Sequence, residues 1–86
     1  MEIIGYYIHG NKEYVAFKDV DDERPDRFKI TDGFHDRPVN ERNRHKYKEY
    51  KQVKKKDIDL HKIIGRMKGT RPWHPLLDAL KKEIVA

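Results

Sequence analysis

Residues 2–18 read EIIGYYIHGNKEYVAFK, two runs rich in β-branched and aromatic residues with Gly10 and Asn11 between them. A two-residue loop that begins with glycine suits a type II′ turn, whose twist matches a pair of antiparallel strands. The loop length also sets the register: His9 faces Lys12, Ile8 faces Glu13, Tyr7 faces Tyr14, Tyr6 faces Val15, Gly5 faces Ala16 and Ile4 faces Phe17. Ile4, Tyr6, Ile8, Val15 and Phe17 then share one face, which is apolar enough to be core. Ile3, Tyr7, His9, Lys12, Tyr14 and Lys18 share the other, a tyrosine pair edged by cations and suited to partial exposure.

The helices that would cover this hairpin lie at the far end of the chain. Leu60, Ile63, Ile64 and Met67 follow the i, i+3, i+4, i+7 spacing of a one-sided helix, with Asp57 or Asp59 as its N-cap and Gly69 beyond its end. Pro75 suits the first position of a second helix, which would bury Leu76, Leu77, Leu80 and Ile84. Between hairpin and helices, residues 19–26 hold five acids and a proline and are expected as a solvated connection. Arg27 to Thr31 alternates Phe28 and Ile30 and stops at Asp32 and Gly33, the pattern of a short third strand. Residues 34–41, interrupted by Pro38, read as a loop. The expected fold is one small α+β domain spanning 1–86, an N-terminal hairpin and short third strand packed on two C-terminal helices.

Residues 42–56 fit this frame less easily. They carry Arg42, Arg44, Lys46, Lys48, Lys51, Lys54, Lys55 and Lys56 against Glu49 alone, with Tyr47, Tyr50 and Val53 recurring every third residue. That recurrence favours a helix with a narrow apolar stripe. The alternative is a further strand that extends the hairpin into a small barrel-like sheet. The strip also polarises the molecule: residues 1–41 hold six Lys/Arg against ten Asp/Glu, residues 42–72 hold twelve against three, and residues 73–86 two against two. A net charge of +5 concentrated in this way points to a polyanionic partner.

Composition limits what else the chain can be. With 41% charged residues and Leu, Ile, Val and Phe at only 20 of 86, the core is expected to be thin. There is no cysteine, which removes disulfides, thiolate metal sites and thiol chemistry together, and no serine for nucleophilic catalysis. No apolar run is long enough to span a bilayer and none follows Met1 as a signal peptide would, so a cytoplasmic protein with no membrane partner is expected. His9, His35, His45, His61 and His74 show no metal-ligand spacing, and no cofactor or metal is expected.

The functional expectation is a non-enzymatic protein that binds DNA or RNA. Arg42, Arg44, Lys46, Lys48, Lys51, Lys54, Lys55, Lys56 and Arg71 would contact phosphates, Tyr47 and Tyr50 would supplement them, and Tyr7 and Tyr14 would offer an aromatic platform. Trp73 is expected to staple the last helix to the core. The alternative is a small interaction or inhibitor protein, of the kind a virus or plasmid encodes, whose basic surface meets an acidic surface on a larger protein. Gly5-Tyr6-Tyr7 followed by Tyr14-Val15-Ala16 also resembles the opening hairpin of GIY-YIG nucleases. The resemblance covers about a dozen residues, has Ala16 where that family has glycine, and implies a metal-dependent nuclease. The family's downstream arginine and metal-binding glutamate find no clear counterpart here, so its activity is not carried over.

Overall fold

The computed structural model describes residues 1–24 and 27–85. The hairpin is formed by β1 (Glu2–His9) and β2 (Lys12–Lys18), followed by β3 (Phe28–Thr31), β4 (Asp36–Val39), β5 (Lys51–Val53), α1 (Leu60–Thr70) and α2 (Pro75–Val85).

 The hairpin holds no Gln, Arg or Ser, and its few polar side chains sit mainly at its ends, which leaves its middle to aromatic and aliphatic residues. Gly10 adopts φ +62° while Asn11 stays at negative φ, as a type II′ turn requires. The pairs from His9 and Lys12 up to Gly5 and Ala16 form in the expected register.

Beyond Gly5 the register changes. A bulge between Ile3 and Gly5 pairs Phe17 with Ile3 instead of Ile4. The extra residue turns Ile4 outward, where it is 41% exposed, and returns Ile3 to the core face. The expected third strand forms and pairs with β2, but residues 36–39 are a fourth strand and not a loop. Asp32 reverses the chain by accepting hydrogen bonds from the backbone N–H groups of Phe34 (2.8 Å) and His35 (3.1 Å). Pro38 is tolerated because β4 lies at a sheet edge, where a missing N–H breaks no ladder.

The five strands form one antiparallel sheet in the order β4-β3-β2-β1-β5, open at both edges and not closed into a barrel. Both helices cover one face. Val15 and Phe17 pack there against Ile63, Met67, Leu76 and Leu80, all essentially without solvent contact. Asp59, the N-cap of α1, accepts hydrogen bonds from the backbone of His61 and Lys62, and its own N–H donates to Glu13 of β2. Leu76, Leu77 and Leu80 are buried as their spacing implies, whereas Ile84 is exposed near the end of α2. Gly33, at φ +106°, brings the β3–β4 turn so close to α1 that an added Cβ would meet Arg66 Cβ at 2.8 Å.

The strip 42–56 is not the favoured helix. It contains a 3₁₀ turn at Arg44–Tyr47, then β5, then a second 3₁₀ turn at Lys55–Asp57. The strand alternative holds for Lys51–Val53, which extends the sheet beside β1. The topology explains the break: β4 and β5 lie at opposite edges, so residues 40–50 must cross four strand spacings, about 19 Å, over one face. They cross the face opposite the helices. Tyr47 and Tyr50 therefore pack on that second face while Val53 joins the helix-side core, so the three-residue recurrence is split between two layers.

Candidate functional site

The crossing segment, residues 40–50, is a strap pinned at both ends. At its start the Asn40 side chain accepts hydrogen bonds from the N–H groups of Arg42 (2.9 Å) and Asn43 (3.2 Å). Asn43 in turn accepts from Asn40 N–H (2.8 Å) and donates to the Pro38 carbonyl (2.8 Å). Such side-chain bonds compete with helical hydrogen bonding, a local reason why the strip does not begin a helix. At its end Tyr50 stacks flat on His9, with ring centroids 4.4 Å apart, and the His9 imidazole lies 3.5 Å from Glu49. Tyr50 also meets Tyr14 and Tyr47, each at 5.0 Å.

Tyr14, Ile30 and Val39 form the buried floor beneath the strap, with Tyr7, Phe28, Tyr47 and Tyr50 packed on them. Tyr14 is only 7% exposed, so it is the floor of the site and not an open platform. Burial, and then the neighbouring Tyr50, pushes its hydroxyl up to about 12, which keeps it protonated at neutral pH. Tyr7, Phe28, Tyr47 and Tyr50 remain partly accessible and line a cleft of about 240 Å³, which Arg44 and Lys48 help to wall. Phe28 was not among the residues expected here. Its alternation with Ile30 signals a strand, but the sequence does not reveal that a strap will lie over that face.

All eight cations of the strip are exposed. Arg42, Arg44, Lys46 and Lys48 ride on the strap, Lys51 lies in the edge strand β5, and Lys54, Lys55 and Lys56 follow it. Lys55 bonds the Glu83 carboxylate near the end of α2 (3.3 Å), whereas the other seven make no ion pair with any described residue. The cations thus follow the chain from the strap to the β5 edge and the turn after it. Lys18 stands apart from them, donating to the Arg24 carbonyl beside the acidic connection. In that connection the Arg24 side chain and then its backbone N–H hold Asp22 down at about 2.

Arg71 does not belong to this set. Its guanidinium bonds Asp36 at 2.7 Å and the Gly33 carbonyl at 2.9 Å, so it ties the α1–α2 connector to the β3–β4 turn instead of facing a partner. His74 Nε2 lies 3.3 Å from the same Asp36 carboxylate, while its Nδ1 accepts from Leu76 N–H at the start of α2. Burial alone would raise the Asp36 carboxyl, but the hydrogen bond from Arg71 and the charges of Arg71 and His74 hold it below its usual value. His74 also meets the buried Phe17 ring edge-on at 5.9 Å. That is the anchoring expected of Trp73, which is instead 71% exposed.

Among the described residues no group of three His, Asp or Glu side chains is arranged to hold a metal ion. Among the described residues no helix is long and apolar enough to cross a membrane. Comparison with protein-family models, curated proteins and solved structures finds no match to this chain.

Proposed function

We propose that the protein is a non-enzymatic nucleic-acid-binding domain whose strap and β5 edge contact the phosphate backbone. The observation that carries this reading is the set of seven exposed cations, Arg42, Arg44, Lys46, Lys48, Lys51, Lys54 and Lys56, that no described acid neutralises. Unpaired like charges on a short segment repel one another, and a polyanion relieves that repulsion while releasing its own condensed counterions. The anchored tyrosines hold the strap's backbone in place, so binding costs less ordering entropy than a free basic tail would.

Filter binding or fluorescence anisotropy across a salt series tests this. With about five phosphate contacts, log Kobs falls against log salt with a slope near −4.5 on duplex DNA and near −3.5 on single strands. Absence of micromolar binding at about 50 mM salt, where such contacts are strong, ends the reading.

The exposed Trp73 favours a second reading, an interaction or inhibitor protein that uses the same cations on an acidic protein surface. Capture from nuclease-treated lysate separates the two. A stoichiometric protein partner that survives nuclease supports the second, and loss of every partner counts against it.

A further inference from the structure

We propose that the cleft between strap and sheet seats one unpaired base, which makes the ligand a single-stranded nucleic acid. This rests on the phosphate-binding reading above and adds the strand type and the seat. At about 240 Å³ the cleft lies just below the roughly 300 Å³ at which small-molecule pockets begin, so it takes a flat ring but not a whole nucleotide. The sugar and phosphate then stay at the surface, where Arg44 and Lys48 stand. The walls suit a π system: four aromatic rings, Tyr7, Phe28, Tyr47 and Tyr50, line the cleft, and Tyr47 and Tyr50 pack edge to face at 60°. A duplex keeps its bases stacked inside and reaches such a seat only by flipping one out.

Trp73 is the rival stacking ring, being the most exposed aromatic among the described residues. Its surroundings disfavour a phosphate chain. Its neighbour Arg71 is committed to Asp36, and the following Pro75 shares a surface hollow with Asp19, Asp21, Asp22 and Glu23. A strand bound there would approach carboxylates, whereas a strand at the strap approaches unpaired cations.

The test uses the full chain with three labelled ligands: an oligothymidylate of about a dozen nucleotides, an abasic strand of equal length and charge, and a matching duplex, all at about 50 mM salt. The base-bearing strand is expected to bind about 5- to 150-fold tighter than the abasic one, the gain of a single stacked base. Tyr47→Leu is expected to shrink that ratio toward one, and Trp73→Leu to leave it unchanged. In the wild-type chain the ring resonances of Phe28 and Tyr47 shift on adding the base-bearing strand and not the abasic one. This measurement stands whether or not Tyr47→Leu folds. Equal, steeply salt-dependent affinity for the base-bearing and abasic strands overturns the seat while leaving phosphate binding intact. Tighter binding of the duplex, unmoved Phe28 and Tyr47 rings at saturation, or a base-dependent gain lost only in Trp73→Leu also overturns it. No binding to any ligand overturns both readings.

Discussion

The two faces of this sheet are covered in different ways. On one, two helices bury Val15 and Phe17 under aliphatic side chains that exclude water completely. On the other, an irregular strap lays two tyrosines over a floor of three buried residues and leaves a cleft beside them. Dense apolar packing on the helix side supplies most of the stability of so small a domain. The strap side can therefore carry cations and open aromatic surface at modest cost to the fold. Under the proposed function, stability and binding fall on opposite faces of the same strands.

Deleting a helix-side core group is the strongest way to test this division. Leu80→Ala should cost about 2–5 kcal/mol in urea unfolding, a large share of what a domain of this size possesses. Arg71→Ala comes next, because it leaves the partly buried Asp36 with only His74 beside it. About 2–4 kcal/mol is expected, less than for a fully buried pair, since the Arg71 and Asp36 side chains are still 18% and 20% exposed. The same pair sets a pH dependence. The Asp36 carboxyl is lowered in the folded state, so its contribution is fully present above the unfolded value of about 3.9 and is lost as pH falls through the lower folded value. Asp36→Asn should flatten the fall in stability below about pH 4, measured by urea unfolding at several pH values.

On the strap side Tyr50→Ala should cost about 1–2 kcal/mol, below the roughly 3–5 of a buried aromatic, because Tyr50 keeps contact with solvent. A cost equal to that of Leu80→Ala would erase the contrast between the faces. The smallest stability effect belongs to the triple change Arg44→Gln, Lys46→Gln and Lys48→Gln, about 0.5 kcal/mol or less per site. The same variant sharpens the contrast in binding, because each lost phosphate contact should make the salt slope shallower by about 0.7 on single strands and 0.9 on duplex.

Much of the helix-covered side is legible in the sequence, because its signals are local or periodic. Gly10 and Asn11 fix the hairpin, the spacing of Leu60, Ile63, Ile64 and Met67 fixes the buried side of α1, and Pro75 opens α2. The strap side is not legible in the same way. The spacing of Tyr47, Tyr50 and Val53 suits a helix stripe, and nothing local in the strip reveals that the chain must travel from one sheet edge to the other. Arg71 and Trp73 exchange their expected roles for a similar reason. Arg71 is drawn inward by Asp36, a residue distant in sequence, and His74 takes the place against Phe17.

The sequence by itself determined the hairpin and most of its register, both helices and most of their buried residues, the α+β class and the concentration of positive charge in one strip. Periodicity, turn chemistry and charge count are properties of neighbours along the chain, so they survive without knowledge of distant contacts. Only the tertiary structure decided that β4 pairs with β3, that the strip crosses the sheet, that Tyr14 lies beneath Tyr50 and that Phe28 and Tyr47 line one cleft. Those outcomes depend on strand order, which sets the elements on either side of a segment and how far it must reach.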